Sequence, residues 1–410
     1  MTKELHSGSL YWPATLTDVP SYPPLRADGK AETVIIGGGM SGVVCGYVLA
    51  KSGMPAILLE QGKITGGSTS ANTGLLQFSN DIMLSDLIGQ IGESAAVAFY
   101  RACKEAIEQL VHMVQALPVD ASFKRRSSLY YASSEQDVPK LTREWDALRR
   151  YGFDAELWDA GDIAKRFPFV KPKAIVTHGD AEINPYRFIH GIAQAGTEAG
   201  LVIHEQTKMV SCTIDAGGGY TIRTDNGFEI KARNIVIAVG YEPEQLRGKL
   251  LKANLNRTFV AVTEPQKDLS AWHERFLLWE TARPYLYLRT TPDDRVLIGG
   301  LDEEEPQPVQ GNLARRRRTE KLHGLIRTFF PALDAPLAYE WCGTFGESRD
   351  NLPFIGEDPL RKRIYYCLGY GGNGSVYSIL GAHLLRDLIL GYDNPIARIV
   401  GFERAALADV

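Results

Sequence analysis

The chain has 410 residues, 44% of them hydrophobic and 23% charged, a balance that excludes a disordered or fibrous protein and favours two domains sharing a cleft. Its formal net charge of -4 supplies no long-range attraction for nucleic acid or anionic lipid. No apolar run reaches the ~20 residues needed to span a bilayer, the N-terminus lacks a secretory apolar core, and the five cysteines form neither a CxxC pair nor a zinc spacing. A soluble, cytoplasmic protein without disulfides or structural metal is the expectation.

In chain order, residues 1–30 are rich in Pro, Tyr and Ser, with Tyr22-Pro23-Pro24 blocking regular structure, and read as an extended arm laid over the domain that follows. Residues 33–36 form a β-branched strand, glycines follow at once, residues 41–51 suit a helix, and residues 56–59 make a second strand ending in Glu60, a βαβ unit. Residues 82–117 place Leu84, Leu87, Ile88, Ile91, Val97, Phe99 and Tyr100 at helical spacing and read as one or two helices, with Gly92 as the candidate break. Runs at 129–131, 259–262, 285–288 and 296–298 belong to a second sheet on the substrate side. Residues 235–239 are apolar throughout, as in a central parallel strand reaching a ligand crevice. The arginines at 315–318 open a helix and read as a solvated face. Residues 363–368 form a strand, and Gly369-Tyr370-Gly371-Gly372-Asn373-Gly374 turns into a helix from Ser375 to about residue 390.

Gly37-Gly38-Gly39-Met40-Ser41-Gly42 fits G-x-G-x-x-G between a strand and a helix, where Gly37 makes the turn, Gly39 admits a pyrophosphate and Gly42 lets helix and strand pack. Glu60, 18 residues beyond Gly42 at the end of the second strand, is placed to hold ribose hydroxyls and disfavours a 2'-phosphate. Dinucleotide binding follows. The choice between FAD and NAD rests on the next run, Gly66-Gly67-Ser68-Thr69-Ser70-Ala71-Asn72-Thr73-Gly74-Leu75-Leu76, whose small and hydroxyl residues suit a diphosphate and a ring system, or merely a flexible loop.

Here a resemblance decides. The run resembles the second fingerprint of the D-amino-acid oxidase superfamily, which contains glycine oxidase, sarcosine oxidase and gamma-glutamylputrescine oxidase-like proteins; the arm with Tyr11-Trp12 and Tyr22-Pro23 is similar to the last group. The strand ending at Ala238 and Gly240, the segment Asn184-Pro185-Tyr186, the strand at 295–300, Trp341-Cys342-Gly343, the segment 350–356 and the turn 369–375 extend the likeness over most of the chain. The resemblance implies an α/β fold, a Rossmann-like FAD-binding domain of the D-amino-acid oxidase type with a second, mixed-sheet substrate domain. The first is expected to take residues 1–85, 185–250 and 335–410, the second 86–184 and 251–334. It also implies noncovalent FAD contacted by Gln61, Val210, Gly343 and Gly371, Gly372, Asn373, Gly374 and Ser375, besides the fingerprint residues. The last turn is expected to set a helix N-terminus against the flavin, where reduction places negative charge.

The activity implied is oxidation of a C–N bond in a small amine or amino-acid-like substrate, by hydride transfer to the flavin and hydrolysis of the resulting imine. Glycine oxidase-like members carry a carboxylate-binding arginine two residues after the glycine that is Gly343 here; this chain has Phe345, with Arg289 and Arg349 as candidate substitutes. Phe345 suggests an apolar wall, and Tyr285, Tyr287 and Tyr241 a cation-π cage. Cys342 lies near the register where sarcosine oxidase-like members bond the flavin, and the lysine those oxidases use is missing near residues 296–298. His178 would serve as base for a hydroxy-acid substrate, the alternative of the same chemistry. A flavin subunit passing electrons to a partner is a further alternative, and a catalytically idle dinucleotide-binding protein another.

Overall fold

A computed structural model describes residues 4–241, 251 and 253–404; the rest of the expected domains, residues 1–3, 242–250, 252 and 405–410, lies outside the described residues. The strand Gly29–Ile36, fully buried over its last four residues, pairs in parallel with Ala56–Leu59 and with Glu229–Ile237. Val202–His204 and Ile364–Leu368 extend the parallel core, and Phe354–Glu357 closes one edge antiparallel. The strands are apolar on both sides because helices cover one face, with Ile35, Leu58 and Val236, while Val34, Ile36, Leu59 and Ile235 on the other pack against Tyr220, Ile222 and Phe354. Met40–Lys51 packs beside both Gly374–Leu390 and Pro185–Glu198, burying ten of its twelve residues. The close approach of that helix is set at Gly42, where a Cβ would fall on the Gly37 carbonyl oxygen, while Gly37 itself holds φ +111°, the region that favours glycine.

The second sheet has ten strands and runs from His6–Ser9 through Leu337–Ser348, Ala253–Thr263, Val296–Glu303, Tyr287–Thr290, Leu277–Glu280, Lys124–Tyr131 and Lys173–Glu182 to Leu75–Leu76, with Ala155–Asp159 on Lys173–Glu182. Strands at 6–9, 75–76 and 337–348 thus belong to the sheet opposite the one to which the sequence division assigns them. Alternation gives this sheet two different faces. Phe259, Ala261, Ile298 and Cys342 pack with Leu322 and Ile326 of the helix Asn312–Phe329; Val260, Val262, Leu297 and Trp341 pack with Tyr11 and Trp12.

The 82–117 region is two helices, Leu84–Ile91 and Glu93–Gln115, separated at the expected Gly92, which has φ +86°. Two expectations need correction. The N-terminal arm is not simply extended: it adds the edge strand His6–Ser9 to Leu337–Ser348 and a short 3-10 turn, Trp12–Thr15. The arginine run is not wholly solvated, since Arg315 is buried and Arg318 bonds Glu303. Among the described residues, no helix is long and apolar enough to cross a membrane.

A side chain at residue 42 has no space to enter, so Gly42→Ala is expected to cost about 1–3 kcal/mol, the usual range for overpacking a tight contact. Denaturant unfolding of the variant and the parent measures it.

Candidate active site and cofactor cradle

A cavity of about 1530 Å³ runs along the carboxyl ends of the parallel strands, where ligands of open α/β sheets bind. Glu60 and Gln61 stand at one end, Gly37, Gly39, Met40 and Ser41 on the floor, Ser68, Thr69 and Asn72 on the wall, and Ala238, Gly240, Tyr241, Gly374 and Ser375 toward the other end. Gly42 backs the floor without lining it.

Local bonds fix these positions. The Glu60 carboxylate accepts the N–H groups of Gly38 at 2.6 Å and Gly62 at 2.7 Å, so it braces the first glycine turn as well as facing the cavity. Thr69 Oγ1 accepts the N–H of Met40 at 2.9 Å, tying the first fingerprint to the second. Asn72 donates to Ser375 Oγ at 3.1 Å and accepts the N–H of Gly74 at 2.7 Å, linking the wall to the final helix. Ser70 is buried and donates to the Thr65 carbonyl. Leu75 enters the second sheet opposite Glu182. At the ribose end, Met209 and Cys212 line the cavity while Val210 is 54% exposed.

The cavity fits an extended dinucleotide. Space beside Gly39 is open but for Thr69 Oγ1, the first turn of the Met40–Lys51 helix presents N–H groups there, and Ser68 Oγ is buried with no hydrogen-bond partner. Gly371, Gly372 and Asn373 differ from expectation. The Gly372 N–H donates to Asp81 Oδ2 at 2.6 Å, and the Asn373 amide donates to the Gln77 carbonyl and Asn80 Oδ1. These groups fasten the turn to residues 77–81, leaving Gly374 and Ser375 on the cavity. Gly343 lies against Ala71 rather than on the cavity lining.

Beside that turn, outside the cavity lining, Asp81, Asn256, Asp302 and Glu347, which the sequence reading did not single out, gather with Tyr285 and Tyr287, which it did. Asp81 and the Tyr285 hydroxyl fill the space over Gly372. Asn256 Nδ2 donates to Glu347 Oε2 at 2.5 Å. Burial first, then the charges of Asp81 and Asp302, push the Glu347 carboxyl up to about 7, with Arg283 opposing. Burial likewise pushes Asp302 up to about 6, and its Oδ1 is buried without a partner. Tyr285 and Tyr287 stand 5.8 Å apart, Arg283 lies 4.6 Å over Tyr285, and burial raises both phenols. Phe345 is half-buried on the Leu337–Ser348 strand and shares a face with Gly343 and Glu347. Tyr241 packs edge-on to Tyr370 at 5.2 Å.

The other candidates lie elsewhere. Arg289 is completely buried, 3.6 Å from Glu182, and donates to backbone carbonyls, so it does not present a fork to substrate. Arg349 is exposed beyond the strand end. His178 is held by Ser127 and Glu156, each at 2.9 Å, outside the cavity lining. Cys342 sits in the helix-covered core on the opposite face of the sheet, where it cannot bond a flavin in the cavity. Among the described residues, no group of three or more His, Cys, Asp or Glu side chains is arranged to hold a metal ion.

A cradle of this form beside a mixed sheet defines a dinucleotide-binding protein. Residues 32–388 match the family model described as FAD dependent oxidoreductase, and the chain belongs to that family, with FAD as its cofactor. It is 25% identical over 95% of its length to YhfW of Bacillus subtilis, named for a Rieske 2Fe-2S iron-sulfur protein, covering 74% of that protein. It is 24% identical to gamma-glutamylputrescine oxidoreductase of Escherichia coli, covering 93% of this chain and 89% of the other. The crystal structure of glycine oxidase from Geobacillus kaustophilus superposes with a TM-score of 0.78 at 19% identity, covering 92% and 99% of the two chains.

The raised Glu347 carboxyl has a consequence for stability. Folded protein binds more protons than unfolded protein between the ordinary glutamate range near 4.5 and about 7, so this group's contribution falls as pH rises through that window and is constant above it. Thermal unfolding of Glu347→Gln from pH 4.5 to 7.5 is expected to show a smaller decline than the parent.

Proposed function

We propose that the protein oxidises the C–N bond of a small cationic amine, the imine product then being hydrolysed by water. The observation carrying this reading is the grouping of Asp81, Asp302 and Glu347 with Tyr285 and Tyr287 at the Gly369–Ser375 end of the cradle. An ammonium ion favours the charged form of Asp302 and Glu347, which burial raises, and tyrosine faces add cation-π attraction. Phe345, at the position of the carboxylate-binding arginine in glycine oxidase-like proteins, fits an apolar carbon chain. The name of the Escherichia coli relative, which specifies an amine substrate, agrees with this choice.

Bound FAD supplies the hydride acceptor. Asp302 and Tyr285 hold the cationic end, Phe345 and Tyr287 orient the carbon chain, and Glu347 receives the ammonium proton at Oε1 while Asn256 secures Oε2. Noncovalent FAD is held by the fingerprint residues, with Glu60 and Gln61 at the ribose, Ser68 and the helix N-terminus at the diphosphate, and Ala238, Gly240, Gly374 and Ser375 along the flavin. An amino-acid-like substrate would place its carboxylate on Arg283, the cation on the same rim. A hydroxy-acid substrate is disfavoured because His178 faces Glu156 rather than the cluster.

A second reading concerns the electron acceptor. YhfW extends well beyond the region shared with this chain and carries an iron-sulfur name, and the strand Val296–Glu303 contains no lysine. Both observations favour a separate electron-accepting partner over oxygen.

Glu347→Gln is expected to lower kcat/KM for a cationic amine at pH 8 by about tenfold or more, the range of a lost charge-assisted hydrogen bond. It is also expected to flatten the rise in kcat/KM through pH 7. Arg283→Ala should leave amine turnover nearly unchanged; selective loss of amino-acid turnover in that variant, with Glu347→Gln neutral, would replace the amine reading by the amino-acid one.

A further inference from the structure

The wall of the cradle contains an arrangement that the catalytic reading does not use. Four successive backbone carbonyls, from Ala71 to Gly74, accept bonds from three side chains supplied by three distant parts of the chain. Trp341 Nε1 donates to Ala71 at 3.0 Å, Trp12 Nε1 to Asn72 at 2.5 Å, and Arg289 Nη1 to Thr73 at 3.2 Å and Gly74 at 2.7 Å. All three donors are completely buried. The Arg289 guanidinium also lies 5.4 Å from the Trp12 ring, so the two donors support each other.

A trans peptide points its N–H opposite its carbonyl. Drawing the Asn72 carbonyl toward Trp12 therefore turns the Thr73 N–H the other way, away from Trp12, while the neighbouring N–H groups of Asn72 and Gly74 are spent on the Thr69 carbonyl and Asn72 Oδ1. We infer that Trp12, Trp341 and Arg289 are positioning residues that hold the 71–74 carbonyls away from the cofactor, so that the wall presents the Thr73 N–H to the flavin and stabilises its reduced, negatively charged form. The inference rests on placing the flavin along this wall, but not on the identity of the substrate.

The N-terminal arm is then part of the redox site. Its edge strand and the bond from Tyr11 to Asp293 bring Trp12 to the wall, and its indole fixes one peptide orientation. Without that donor, the 72–73 peptide is free to turn its carbonyl inward, where it opposes negative charge on the reduced cofactor. The predicted effect is thermodynamic, and it separates this role from simple packing, which would change stability alone.

The test uses the full-length FAD-loaded protein and a chemical reductant, with no amine present, so its outcome is independent of the amine reading. The midpoint potential and FAD dissociation constant are measured for the parent, Trp12→Phe, Trp341→Phe and Ile326→Ala. Trp12→Phe is expected to bind reduced FAD about tenfold more weakly relative to oxidised FAD, a fall of ~30 mV for a two-electron couple, with a shifted visible spectrum. Trp341→Phe, which keeps the inference testable if Trp12→Phe does not fold, should move the potential in the same direction. Ile326→Ala, in the core on the opposite face of the second sheet, should reduce thermal stability and leave the potential unchanged. An unchanged potential in the folded tryptophan variants, or an equal fall in Ile326→Ala, would overturn the inference.

Discussion

Arg289 is a cation with no exposed surface, and burying a charge without compensation is costly enough that its surroundings must supply both opposite charge and hydrogen-bond acceptors. Glu182 supplies the charge at 3.6 Å; the carbonyls of Thr73, Gly74, Ile183 and Thr290 supply the acceptors. Those acceptors belong to the cradle wall, to the strand end leading into the Pro185–Glu198 helix and to the second sheet. One side chain thus fastens the cofactor wall to the sheet that carries the proposed substrate groups.

The same face of that sheet changes character along its length. Near Arg289 it is apolar and aromatic, with Trp12, Val260, Leu297 and Trp341 forming a closed cluster. Further along, Gly343 and Gly299 give way to neighbours: the space over Gly299 is occupied by the Tyr287 ring. Beyond them come Phe345, Asn256 and Glu347, with Asp302 brought alongside. The rigid end anchors the wall, and the polar end offers charge. Raised carboxyls make that polar end responsive to a cation, because binding one lowers the cost of ionising groups that burial has disfavoured.

Much of the first sheet was legible in the sequence because a strand, glycine turn and helix followed by a strand ending in an acid leave few alternatives at residues 33–60. The second sheet was harder. Its strands come from 6–9, 75–76 and 337–348 as well as from the central region, and edge pairing of short segments leaves no periodic signal. Asp302 was invisible for a more specific reason: Gly300 and Leu301 both have positive φ and the register with Ala253–Thr263 shifts there, so counting alternate residues from Ile298 does not give the direction of Asp302. Trp12 was quoted only as part of a resemblance. Its function depends on a partner sixty residues away, which local pattern does not reveal. Arg289 and His178 illustrate the opposite error, since a polar side chain in a suitable region can be wholly engaged in holding the fold.

The central claim is that a carboxylate and tyrosine cluster presents a cationic amine to FAD. Its most direct test is anaerobic mixing of the purified, FAD-loaded protein with separate pools of small amines, N-methyl amino acids, free amino acids and hydroxy acids, followed by the visible absorption of oxidised flavin. Bleaching by the amine pool, faster than by any other, is the predicted result. Bleaching only by hydroxy acids or by free amino acids, with the amines inert, would contradict it.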